Sequence, residues 1–255
     1  MATSQYETPS WPASPEHLAA ARQFLQSIAT KPDDRPVLII PDRDVDGLTS
    51  GGIMQRLISR VLLKERKVDV QTRFVAKGAS IHDPSEKAEI DALDPRLLIL
   101  RRNPPNLSSH VVVLDQGSRG SPPLASSAEV LLIDHHLSTS FPQHAVVCSA
   151  CNNLPVATTS LLTFVVVEPL LAGTDSATLE ECEWLAVLGV KGDLGEWKWD
   201  PPFPGALHDR VSKTHTKKAL SEAVSLLNAR MSIGYRAHCS ETNSRMPRGN
   251  SMGGN

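Results

Sequence analysis

The chain has 255 residues, 40% of them hydrophobic, and 26 basic side chains nearly balance 28 acidic ones for a net charge of −2. That length fits one large domain, or one domain with an ordered appendage, at about 100–200 residues per domain. The apolar content suffices for a full core without disulfides or metals as main stabilisers, and the balanced charge argues against a basic coat for non-specific duplex binding.

Residues 1–13 are polar and proline-bearing, which predicts a disordered segment. They have neither the apolar stretch nor the basic lead of a signal or transit peptide. A helix follows, capped by Ser14, with Pro15 at its first position and Leu18, Ala21, Leu25 and Ile28 along one face. The short apolar run Val37–Ile40 closes at Pro41-Asp42 and reads as a buried strand. Next come a helical pattern through Ile53, Leu57, Val61 and Lys64, a strand-like Val68–Val75, and a polar helix over Pro84–Leu93. Strands are expected at Leu97–Leu100, Val111–Leu114, Val130–Ile133 and Ala145–Cys148. Helices are expected over Thr158–Leu171, Ser176–Val190 and His208–Asn228. Strands separated by helix-length patterns predict a doubly wound α/β fold, a mainly parallel sheet with helices on both faces.

After Asn228 the periodic apolar residues give way to Ser, Arg, Asn and Gly, so a domain over 14–230 and a disordered tail over 231–255 are expected. The longest apolar run, Leu161–Val167, is too short to span a bilayer. A soluble, cytoplasmic protein is expected, without a membrane partner. Cys148 and Cys151 form a C-x-x-C, but no second pair follows at zinc-ribbon spacing, so reduced thiols are the simpler reading.

Three apolar runs end at an aspartate: Asp42 after Pro41, Asp115 after Leu114 and Asp134 after Ile133. In a parallel sheet all three would project from the carboxyl edge, where open α/β sheets bind ligands. One such aspartate is commonplace; three joined by tandem histidines are harder to explain structurally. Asp42, Asp44 and Asp46 crowd three carboxylates into five residues, and a bound cation is the natural compensation. The pattern also resembles an EF-hand loop, but its twelfth position is Ile53 instead of a bidentate Glu and a strand precedes it, so that reading fails. A haloacid-dehalogenase type of aspartate nucleophile, in Asp44-Val45-Asp46-Gly47-Leu48, remains an alternative that gives paired histidines no role. Asp134-His135-His136 adds imidazoles to the carboxylates, a set without thiolate that suits Mn2+, Mg2+ or Fe2+ over structural zinc.

Together these segments resemble the DHH phosphoesterase family, and the RecJ-type nucleases within it. Asp42 to Ser50 is similar to the first motif, Asp115 to the second, Asp134-His135-His136 to the signature, and Gly192-Asp193-Leu194-Gly195 to the fourth. The resemblance covers about residues 35–230. It implies two Mn2+ or Mg2+ ions, with Asp42 and Asp44 binding one metal each, Asp115 bridging both ions, and His135 and Asp193 completing the second site. Asp46 and Asp134 would support from behind, and His136 would face the substrate phosphate, with Asp115, His135 and His136 central to catalysis. The implied reaction is phosphodiester hydrolysis by a hydroxide held between two metals. Its substrate would be single-stranded or short nucleic acid, or else a phosphorylated small molecule such as a nucleoside bisphosphate, cyclic dinucleotide or pyrophosphate.

Lys77, His82 and Arg119 lie on loops that could reach a phosphate, and a solvated loop is the competing reading for each. Trp197 and Trp199, flanking Asp193 on a loop, could stack bases, whereas Trp184 reads as core. Two departures from the family stand out. Members whose first motif begins with histidine carry it four residues before the first aspartate, where this chain has Leu38. Typical members also continue into a smaller substrate-binding domain. Here the abrupt polar tail points to a truncated C-terminus and a metal-binding half that could serve as a catalytically impaired nucleic-acid scaffold.

Overall fold

Hydrogen bonding between parallel strands sets the frame. The computed structural model describes residues 10–30, 36–92 and 109–242. Five strands pair in parallel: β1 (Val37–Pro41), β2 (Val70–Thr72), β3 (Ser109–Leu114), β4 (Ala128–Asp134) and β5 (Ala145–Ser149), in the order β2-β1-β3-β4-β5. The register sets Pro41 beside Leu114, Leu114 beside Ile133 and Asp134 beside Ser149, so the carboxyl ends are nearly level. Pro41 closes β1 at its last position, where its missing N–H costs the ladder nothing. The expected strand over Leu97–Leu100 lies outside the described residues.

Side-chain alternation divides the core in two. Val37, Ile39, Val112, Leu114, Leu131 and Ile133 face one layer of helices. Leu38, Ile40, Val111, Val113, Val130 and Leu132 face the other side, with Ile81 and Ile90. The first layer contains α1 (Pro15–Thr30), α2 (Val45–Arg56), α4 (Thr159–Val167) and α5 (Ser176–Leu194); α3 (Pro84–Ala92) covers the second face. This is the expected doubly wound arrangement. Helix starts follow from local side chains: Ser14 Oγ accepts from the His17 N–H, Asp44 from Gly47, and Asp175 from Thr178.

Three observations bear on the sequence expectations. Trp11 is tied down: its indole N–H donates to the Pro155 carbonyl at 2.8 Å, its ring packs on Phe203, and Ala13 is fully buried. Ordered structure therefore begins before residue 14, because one aromatic side chain finds both a hydrophobic partner and an acceptor. The single helix expected over His208–Asn228 is two, α6 (Gly205–Thr214) and α7 (Lys217–Thr242). His215 is extended at the break and packs against the Trp184 ring, and Thr216 Oγ1 accepts from the Ala219 N–H to start the second helix. The backbone of α7 also continues past residue 230 to Thr242, since each added turn of an established helix gains hydrogen bonds without a new nucleation cost. No helix among the described residues is long and apolar enough to cross a membrane.

Candidate metal centre

In a sheet ordered β2-β1-β3-β4-β5, chain direction reverses sides between β1 and β3, and the crevice at the carboxyl ends of those strands is where such folds bind ligands. Asp42 follows β1 and Asp115 follows β3. Their backbones extend the ladder at that point: the Asp42 N–H donates to Leu114 and the Asp115 N–H to Ile133, each at 3.0 Å. Asp134 ends β4 and brings His135 and His136 to the same edge.

Asp193 arrives from a different direction, at the end of α5. That helix crosses α2 very closely, which glycine permits. A Cβ at Gly192 would lie 2.5 Å from Val45, and one at Gly189 would lie 2.5 Å from Thr49 Oγ1. The contact carries Asp193 to within 4.0 Å of His135 Nδ1.

Three groups of potential ligand atoms result, each with its atoms within 4.8 Å of one another: Asp42, Asp44 and Asp115; Asp115, His135 and His136; and Asp46, His135 and Asp193. Asp115 joins the first two groups and His135 the last two. Every residue expected to ligate metal is in this set, along with His136 and Asp46.

Asp115 is 1% exposed and lies at φ 63°, a left-handed conformation uncommon for a residue with a side chain. Its Oδ1 accepts from Thr159 Oγ1 at 2.8 Å and lies 3.3 Å from His135 Nε2. Its buried Oδ2 meets no donor among the described residues. Burial, reinforced by Asp46 and Asp44, pushes its carboxyl up to about 8 despite the His135 contact. Asp46, also 1% exposed, receives the Thr159 N–H at 2.7 Å on Oδ2 and the Ser160 N–H at 2.9 Å on Oδ1. Burial raises it to about 6. Asp42, raised by burial, accepts from the Arg43 N–H; Asp44 uses one oxygen to cap α2.

The Asp134 carboxylate is already engaged. Its Oδ1 takes the His136 N–H at 3.1 Å and pairs with His136 Nδ1 at 2.8 Å, while Oδ2 takes the Ser118 N–H at 3.2 Å. Burial would raise Asp134, but these donors outweigh it and hold it below the usual carboxylate range. The same pairing lifts His136 to about 9. His135 is raised as well, its burial outweighed by Asp115. With Nδ1 committed to Asp134, the free ring nitrogen of the half-exposed His136 is Nε2.

The softer expectations fall outside these groups. Lys77 is exposed on its loop. His82 Nδ1 bonds Ser121 Oγ at 3.0 Å, and burial, with Arg119 nearby, lowers its basicity. The exposed Arg119 turns its backbone N–H to the Gly117 carbonyl. Trp199 stacks on His208 and edges against Phe203, and Trp197 tilts on Phe203. The two indoles line a cavity of about 320 Å³ at the end of α5, rimmed by Lys191 and Lys217, which both pair with Glu196. Trp184 packs partly buried against the main core. Cys148, Cys151 and Cys182 are buried and free, and burial pushes Cys148 up to about 12. Sequence reasoning missed Thr159 and Ser118. A Thr-Thr-Ser run before an apolar helix signals a cap and nothing about a carboxylate 44 positions upstream.

The model of the DHH family N-terminal domain matches residues 36–189. The chain belongs to the DHH family. No curated protein matches it. Among solved structures, it is similar to an exonuclease RecJ bound to manganese, at 18% identity and a TM-score of 0.52, over 79% of this chain and 48% of that one. It is also similar to RecJ in complex with Mn2+ from Thermus thermophilus, at 18% identity and a TM-score of 0.50, over 80% of this chain and 28% of that one. An exopolyphosphatase-related protein from Bacteroides fragilis matches at 16% identity and a TM-score of 0.51, over 84% of this chain and 62% of that one. This DHH-family chain thus shares its fold with proteins of which it spans about a quarter to three fifths.

Proposed function

We propose that this chain is a metal-dependent phosphoesterase that hydrolyses phosphodiester bonds in single-stranded or short nucleic acid, in the manner of an exonuclease. The observation that carries the reading is the sharing of Asp115 and His135 among three adjacent ligand groups at the switch point of the sheet. Two centres with common ligands are what a paired-metal site requires.

The residues fit divalent ions of the Mn2+ or Mg2+ type. The donors are carboxylates and imidazoles without thiolate, and the buried Asp115 Oδ2 has no donor to satisfy it among the described residues. Asp42, Asp44 and Asp115 form one ligand group, so Asp44 would join Asp42 on one ion instead of serving the other, as the resemblance implied, and Asp115, His135 and Asp193 would hold the second. When bound, such a pair supplies Lewis-acid activation of water near neutral pH and neutralises charge on phosphate oxygens. The protein does the rest. Asp134 fixes the His136 ring, so a protonated imidazole presents Nε2 to an incoming phosphate. Asp46 anchors the first turn of α4 beneath the site.

The first motif, with its D-x-D-x-D-G-x-T-S form, favours a nuclease, as does the likeness to RecJ, a manganese-bound exonuclease. The comparable likeness to an exopolyphosphatase-related protein supports a second reading, a phosphatase or phosphodiesterase of small phosphorylated molecules. A panel with Mn2+ tests both: labelled single-stranded DNA, RNA, a cyclic dinucleotide, a nucleoside bisphosphate and pyrophosphate. Mn2+-dependent release of mononucleotides is the expected result. Turnover of the small molecules alone would move the assignment to the second reading. Bound Mn2+ without turnover of any of these would replace both with a binding scaffold.

A further inference from the structure

Thr159 is the second residue of a Thr-Thr-Ser run, and the helix beginning there is already capped. Thr158 Oγ1 accepts the Leu161 N–H and so performs the capping. Hydroxyls in a helix usually return to a carbonyl of their own helix. Thr49 and Ser50 in α2 do so, donating to the Val45 and Gly47 carbonyls at 2.8 Å. Thr159 does not. Its Oγ1 leaves the helix and donates to Asp115 Oδ1 at 2.8 Å, and the two residues are 0% and 1% exposed.

Three further observations give that bond a direction. Asp46 grips the N–H groups of Thr159 and Ser160, so the hydroxyl is carried on a fixed turn. Asp115 leaves β3 at φ 63°, and its N–H on the Ile133 carbonyl fixes its backbone but not the rotation of its carboxylate. His135 Nε2 also lies 3.3 Å from Oδ1, while Oδ2 is buried with no donor among the described residues. Oδ1 is thus held by Thr159 on the side where His135 and His136 also approach it, and Oδ2 is left without a donor among the described residues.

We propose that Thr159 is a positioning residue, locking the Asp115 carboxylate through Oδ1 so that the shared ligand meets the metals in one fixed orientation. The inference rests on the paired-metal reading above. A hydroxyl on Oδ1 restrains rotation of the carboxylate. It also selects a single carboxylate orientation, which a shared ligand needs. Partners of this kind behind a ligand typically contribute about 10–100-fold to metal affinity.

The test compares Thr159→Val, Thr159→Ala and Thr159→Ser in the full chain. Mn2+ binding is followed by calorimetry, spin coupling of the bound ions by electron paramagnetic resonance, and folding by circular dichroism. Both hydroxyl-free variants should stay folded, bind Mn2+ about 10–100-fold more weakly and lose the coupled-pair signal. T159S should restore affinity and signal. Wild-type affinity and coupling in T159V or T159A would overturn the proposal. Loss of fold in both, recovered in T159S, would overturn it as well, since the hydroxyl would then serve stability instead of orientation. If the wild-type chain binds no Mn2+, it is the paired-metal reading that fails, an outcome visible before any variant is made.

Discussion

The loop after β1 and the loop after β4 each bring three candidate ligand-type residues to the same sheet edge, and they balance charge differently. Among the described residues, Asp42 and Asp44 receive only backbone N–H groups, from Arg43 and from Gly47, whereas Asp46 takes those of Thr159 and Ser160 and lies 3.9 Å from His135 Nε2. Among the described residues no Lys or Arg pairs with the Asp42, Asp44 and Asp115 group, His135 and His136 reach only its Asp115, at 3.3 and 3.8 Å, and burial raises both Asp42 and Asp115. In the β4 loop, Asp134 is matched by its own neighbour His136, and the pair is settled as carboxylate and imidazolium. The first loop leaves most of its charge unmatched; the second balances its own. A paired-metal site built on both would depend on the first for affinity and on the second for geometry.

Substitutions can break this contrast, and the largest effect is expected where the loops meet. Asp115→Ala removes the residue common to two ligand groups. Mn2+ affinity should fall by more than the roughly 100-fold that supporting residues contribute, with activity lost in parallel; calorimetry showing two intact sites would refute the shared-ligand assignment. Asp134→Asn should act differently. It leaves the β1 loop able to bind Mn2+ but frees the His136 ring, so turnover should drop about 10–100-fold with binding largely kept. Equal losses in both would erase the distinction between the loops.

Smaller effects probe the supports. Asp46→Asn turns an amide donor toward the N–H groups of α4, leaving a buried mismatch of about 1–3 kcal/mol. A lower melting temperature in the metal-free protein is the expected readout, and an unchanged one would count against the buried anchor. Changes of pH should give the most gradual response. Asp115 is raised from 3.8 to about 8, so between those values the folded, metal-free protein binds more protons than the unfolded chain. His136, raised from 6.5 to about 9, acts in the same sense. Stability without metal should therefore decline as pH rises through this range. Mn2+ competes with the same protons, so its stabilisation should be greater at the upper end. Melting curves with a chelator and with Mn2+ check both slopes; a metal-free protein that gains stability toward pH 8 would contradict them.

Much of the edge could be anticipated from residue order. An apolar β-branched run that stops at an aspartate has few alternatives to a buried strand delivering a carboxylate, and this holds for Asp42, Asp115 and Asp134. The capping residues Ser14, Asp44 and Asp175 act locally, so they too are legible. Trp11 and the break at His215 were not, because each is settled by a distant aromatic partner, Phe203 in one case and Trp184 in the other. Leu38, four residues before Asp42, is buried in the second core and takes no part in the ligand groups.

By itself, then, the sequence determined which residues can carry metal chemistry and that strands would bring them to an edge, since period, length and charge crowding are local properties. Only the tertiary structure decided which of those residues meet. The strand order puts Asp42 beside Asp115, and the glycine-lined crossing of α2 and α5 brings Asp193 to His135. The buried turn of α4 selects which oxygen of Asp115 is held. Those pairings depend on backbones approaching across long stretches of chain, and packing free energy, not local pattern, sets them.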